Sequence, residues 1–197
     1  MRLRSSLILA SVLTLALAGC ATPKSGVGAA PPPSVVPTPV VSESPSAVVT
    51  SGSTDAQAQA QARAWLAEAS LPPGAAQADA GVTSFGSFTG WPCGPVAELH
   101  AYWRIPGMGV PEAANWLREH PTGRLITTRH SAVADDPRIT SVTVGYIPAQ
   151  GAQQGIVFTV EKLPDGVAVR AEIAAQTSTA SGPPLPGGGQ YGAPGQG

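Results

Sequence analysis

The strongest regularity along the chain is an alternation of period two. Leu99, Ala101, Trp103 and Ile105 alternate with Glu98, His100, Tyr102 and Arg104. Successive side chains of a strand point to opposite faces, so this run predicts a strand with one face on a core and the other in water. Pro106-Gly107 ends it. The same period returns in residues 139–147 through Val142, Val144 and Tyr146, and again through Ile156, Phe158 and Val160. It recurs through Val167, Val169, Ala171 and Ile173, a register that assigns Arg170 and Glu172 to the solvent side. Leu163-Pro164-Asp165-Gly166 supplies a turn between the last two strands, proline setting one dihedral and glycine accepting a positive one. Residues 82–88 and 124–128 are weaker strand candidates, the first with Phe85 and Phe88 partly buried.

Two stretches follow the helical period instead. Ala58, Ala62, Trp65, Leu66 and Ala69 form one stripe behind a cap at Thr54 or Asp55, which predicts a helix to about residue 69. Leu71-Pro72-Pro73-Gly74 stops it, because proline lacks the amide hydrogen and restrains its predecessor. Residues 111–120 predict a second helix, with Pro111 in the first turn, Glu112 at the positive end of the dipole, and Ala113, Trp116 and Leu117 facing inward. Pro121 and Gly123 close it. Runs of strands with two helices imply an α+β class: a single small domain, with an antiparallel sheet of about five strands.

Composition places that domain within the chain. Of 197 residues 23 are Gly and 21 are Pro, unevenly spread. Residues 20–54 are rich in Pro, Ser and Thr, with Pro31-Pro32-Pro33 and Pro37-Thr38-Pro39 and no apolar face, which predicts a disordered tether. Residues 177–197 are Gly- and Pro-rich and predict a disordered tail, with Tyr191 as an idle aromatic. The globular domain is therefore expected over 55–176. Residues 1–19 have the layout of a signal peptide: Arg2 and Arg4, then an apolar run over 7–18. That run is about 12 residues long, short of the roughly 20 needed to span a bilayer.

The run ends in Leu17-Ala18-Gly19-Cys20, which resembles the lipobox of bacterial lipoproteins. The resemblance implies cleavage between Gly19 and Cys20 and a Cys20 thiol carrying diacylglycerol, with acyl chains such as palmitate as the membrane anchor. Each buried methylene contributes about 0.8 kcal/mol, so two or more chains hold firmly where one is marginal. High Ala, Gly, Pro and Val usage resembles that of actinobacterial proteins, which implies a location on the outer face of the cytoplasmic membrane, lipid-anchored. With Cys20 acylated, Cys93 has no partner for an intramolecular disulfide.

Chemistry is less legible. A formal charge of −1 and scattered arginines offer no field for phosphate backbones, so no nucleic acid is expected as a partner. Trp91-Pro92-Cys93-Gly94-Pro95 invites comparison with the thioredoxin site, but Val96 stands where the resolving cysteine belongs and a strand rather than a helix follows. His100, His120 and His130 lack the spacing of a zinc pair, and Asp135-Asp136-Pro137 reads as a turn starter. No metal, cofactor or catalytic residue is assigned. Trp65, Trp103 and Trp116 belong to core faces, leaving Trp91, with His100 and Tyr102 on the wet face of their strand, as residues for ligand contact.

The span 64–173 resembles a set of actinobacterial envelope proteins of unknown function through Leu71-Pro72-Pro73-Gly74-Ala75, Tyr102-Trp103, and Trp116-Leu117 followed by His120-Pro121 and Gly123. No activity comes with that resemblance. The expectation is a membrane-anchored, non-catalytic module that meets the membrane through its lipid and an envelope protein or cell-wall component through its domain. The alternatives are a cell-wall hydrolase or transferase working through unmarked groups such as Glu98, His100 or Asp136, and a small lipid or ligand carrier.

Overall fold

The computed structural model describes residues 51–196. The signal segment, most of the tether, and the expected lipidation and cleavage positions Cys20 and Gly19 lie outside the described residues. Helix α1 (Ser51–Ala67) is followed by β1 (Ala76–Ala78), β2 (Gly94–Pro106), α2 (Val110–Glu119), β3 (Ile126–Thr127), β4 (Ser141–Ile147), β5 (Gly155–Leu163) and β6 (Gly166–Ser181). The strands make one antiparallel sheet in the order β1-β2-β6-β5-β4-β3. The fold is thus α+β, with six strands rather than about five. The additional strand, β1, has three residues and β3 has two, too few for an alternation to show. No described helix is long and apolar enough to cross a membrane.

The alternating runs have the expected inner face. Ile105, Val144, Tyr146, Phe158, Val169 and Ile173 are buried with Ala58, Ala62 and Trp65 of α1 and Ala113, Ala114 and Leu117 of α2 in one core. Small residues along both helices let them approach the sheet closely. The Tyr146 hydroxyl donates to the Leu117 carbonyl, which satisfies the α2 end where the helix leaves its last carbonyls free. Glu112 accepts from the Gly109 amide at 3.4 Å at the other end of α2, as the predicted first turn requires. Helix α1 starts at Ser51, so Thr54 and Asp55 lie within it rather than capping it. The alanine-rich stretch has no proline from 51 to 71 to stop the helix at Thr54.

Three expectations fail on the other face of the sheet. Residues 82–88 are not a strand: a short 3-10 turn (Ala80–Val82) leads into a loop, and the phenyl rings of Phe85 and Phe88 pack on Arg170 instead of joining a ladder. Arg170 and Glu172 are not in water, since each is only 1% exposed beneath that loop. Residues 177–197 are not a disordered tail through 196. Strand β6 continues to Ser181, and the segment after it returns across the sheet with Pro194 buried. Thr128 Oγ1 donates to the Pro194 carbonyl at 3.0 Å, Thr143 Oγ1 to that of Gly195 at 3.1 Å, and Gln196 Nε2 to that of Thr128 at 3.2 Å. Gly145 permits this contact, because a Cβ there runs into the Pro194 carbonyl oxygen. A composition that cannot make a core of its own can still cover one, provided its glycines meet bare backbone.

Candidate binding cleft

Antiparallel pairing sets two rows of side chains across the second face. Tyr102, Arg170, Thr159 and Thr143 stand opposite one another in one row; His100, Glu172, Val157 and Gly145 make the next. Arg170 and Glu172 are two apart on β6 and so share this face. Arg170 Nη2 donates to Glu172 Oε2 at 2.6 Å, to Thr159 Oγ1 at 3.3 Å, and to the Ser87 carbonyl. Glu172 in turn accepts from the Thr89 amide at 3.0 and 3.1 Å and from its hydroxyl at 3.0 Å. The guanidinium carbon lies 4.7 Å from the centroid of Phe85 and 4.2 Å from that of Phe88. A buried charge pair of this kind is held only where hydrogen bonds complete it, and here the loop after residue 83 supplies them.

Between that loop and the returning C-terminal segment lies a cleft of about 640 Å³. Its walls are Ser87 to Pro92 on one side and Tyr191 to Gln196 on the other; Thr143, Thr159 and Gln153 lie between. Among the described residues no Asp, Glu, Lys, Arg or His lines it. Phe88 is 70% exposed, so the ring held over Arg170 presents its other surface outward. Trp91 is half-buried, and its indole N–H is buried without an acceptor among the described residues. Tyr191 donates its hydroxyl to the Pro183 carbonyl, which folds the C-terminal segment back on itself.

Of the residues expected to meet a ligand, Trp91 alone lines this cleft. Tyr102 shares the face but sits under Phe85, with ring centroids 6.0 Å apart. His100 faces solvent with Glu98, Nε2 to Oε1 at 3.5 Å and side chains 37% and 46% exposed. Asp136 is engaged elsewhere: its carboxylate accepts from the Arg138 amide at 2.9 Å and pairs with the guanidinium, which holds the carboxyl below its ordinary pKa. Glu98, His100 and Asp136 therefore do not converge in the cleft. Among the described residues no three His, Cys, Asp or Glu side chains form a group able to hold a metal ion. Cys93 is half-buried with a free thiol against Gly182.

Phe88, Thr143, Gln153 and Thr159 were not legible as cleft residues. Thr143 and Thr159 announce only a polar strand face. Their meeting with Phe88 depends on where an irregular loop crosses. The nearest signal was Arg170 and Glu172 at a spacing of two, which brings opposite charges together on one strand face. No protein-family model, curated protein or solved structure matches the chain. The fold and the cleft alone therefore define its class: an α+β domain with one helix-covered sheet face and one face covered by irregular chain that frames a cleft.

Proposed function

We propose that this chain is a lipid-anchored extracytoplasmic protein whose domain is a non-catalytic binding module, with the cleft over the second sheet face as its recognition site. The observation that carries the reading is that cleft itself, walled by the aromatic residues Phe88, Trp91 and Tyr191 and lined, among the described residues, by no side chain of Asp, Glu, Lys, Arg or His. Binding sites are concave, largely apolar and furnished with a few polar groups that orient the occupant. A hydrolase or transferase using carboxylates needs them at the site of the bond, and this cleft holds none.

The placement outside the cell is supported by Leu17-Ala18-Gly19-Cys20. The Pro-rich stretch between Cys20 and α1 suits a spacer, able to reach on the order of 100 Å when extended at about 3.1 Å per residue. Cys20→Ala is expected to move the protein from the membrane pellet to the medium, and mass spectrometry of the mature N-terminus to find an acylated Cys20. An unmodified thiol there, or a Cys20→Ala protein that stays in the pellet, overturns the anchor. For the cleft, cross-linking in intact cells should give an adduct with the wild-type chain that Phe88→Ala reduces. Adducts identical in both proteins remove the cleft from the reading.

A further inference from the structure

The chemistry of the cleft specifies more than a binder. Thr89 commits its hydroxyl proton to Glu172 at 3.0 Å, and Thr143 commits its own to the Gly195 carbonyl at 3.1 Å. Both hydroxyl oxygens are then left as acceptors. Gln153 donates through Nε2 to the Gly192 carbonyl at 3.2 Å, which leaves its amide oxygen as a third. Against these acceptors stands the Thr159 hydroxyl, which accepts from Arg170 Nη2 at 3.3 Å and so keeps its own proton to donate. The occupant must bring several donors and at least one acceptor, since a polar group covered without a partner costs free energy.

It must also bring an apolar surface. Phe88 offers a broad exposed ring fixed from behind by Arg170, and Trp91 and Tyr191 flank it. A ring already held in place loses little freedom on binding, which favours a ligand that lies flat on it. Charge on the ligand finds no counter-ion in the cleft wall, and burying it unpaired is costly. An acyl chain satisfies the rings but leaves the acceptors of Thr89, Thr143 and Gln153 bare.

One ligand class meets all of these demands, because a pyranose carries hydroxyls that both donate and accept and a face of C–H groups that stacks on aromatic rings. We infer that the cleft binds a neutral saccharide segment; this rests on the binding-module reading and names its ligand class. The full chain held in nanodiscs is titrated with neutral hexasaccharides (chito-, cello-, manno- and malto-oligomers), a uronate hexamer, a proline-rich peptide and a monoacyl lipid, with intrinsic fluorescence and equilibrium dialysis as readouts. Saturable binding of a neutral hexamer is expected, weakened about tenfold or more by Phe88→Ala. Trp91→Ala removes a flanking ring of the cleft and should weaken binding as well. Trp116→Phe, remote from the cleft, should leave it unchanged, and unaltered melting temperatures report that each variant folds. The inference falls if no neutral hexamer binds, if the uronate binds as well as the neutral sugars, or if neither Phe88→Ala nor Trp91→Ala weakens the complex. Phe88-dependent binding of the peptide or lipid in place of sugar overturns the saccharide and leaves the binding module standing. The absence of any Phe88-dependent ligand or cellular adduct overturns both.

Discussion

At the scale of single residues, the most consequential group is the Arg170–Glu172 pair. Both side chains are 1% exposed, and Arg170 Nε and Nη1 have no hydrogen-bond partner among the described residues. Removing one member of such a pair leaves the other charge buried alone, at a cost of about 3–5 kcal/mol. Arg170→Met is therefore expected to lower stability by that order in urea denaturation, and Arg170→Met with Glu172→Met together to lower it less than either alone. Equal and additive losses exclude the coupling. Tyr146 gives a second test, through pH. Burial pushes its hydroxyl well above the ordinary tyrosine range, so at alkaline pH the unfolded chain ionises this group while the folded one keeps its proton. The folded state then binds more protons, and stability is intact below about pH 10 and falls above it by up to about 1.4 kcal/mol per pH unit. Urea midpoints between pH 8 and 11 should drop more steeply for the wild type than for Tyr146→Phe. Parallel profiles contradict the assignment.

At the scale of elements, the sheet is asymmetric in what covers it. The helical side obeys the patterns read from the chain: Leu99, Trp103 and Ile105, then Val142, Val144 and Tyr146, then Val167, Val169, Ala171 and Ile173 join the core as anticipated, and α2 begins and ends within one residue of its predicted span. Those patterns were legible because a helix and a strand each impose a fixed angular period on side chains that must reach a core. The opposite side has no such period. Residues 83–93 and 182–196 cover it as irregular chain, held by side chains from other elements, among them Glu172, Thr128 and Thr143. The C-terminal cover should be separable from the sheet by one methyl group. Gly145→Ala forces the Pro194 carbonyl away, and overpacking of this sort costs typically about 1–3 kcal/mol. Hydrogen exchange should then speed up at the amide of Thr128, whose bond to the Gly145 carbonyl lies under the docked segment, while the amides of α2 keep their protection. An unchanged exchange pattern shows that the segment does not guard the sheet.

At the scale of the whole molecule, the proposed anchor and the cleft come from opposite kinds of information. The lipobox-like stretch ending in Cys20 is a local pattern, so spacing and residue type suffice to suggest it. The single α+β domain, its two helices and its long strands were also determined by the sequence alone, since hydrophobic periodicity states which face of each element must be buried. Tertiary structure decided the rest. It buried Arg170 and Glu172 where alternation assigned them to water, turned Phe88 into an exposed platform, and docked a Gly- and Pro-rich segment as one wall of a cleft. Each of these outcomes depends on contacts between residues some fifty or more positions apart, Thr89 with Glu172 and Thr143 with Gly195 among them. A period along the chain describes what one segment needs from its surroundings; which other segment supplies it is settled only when the sheet has closed its register and brought the two together.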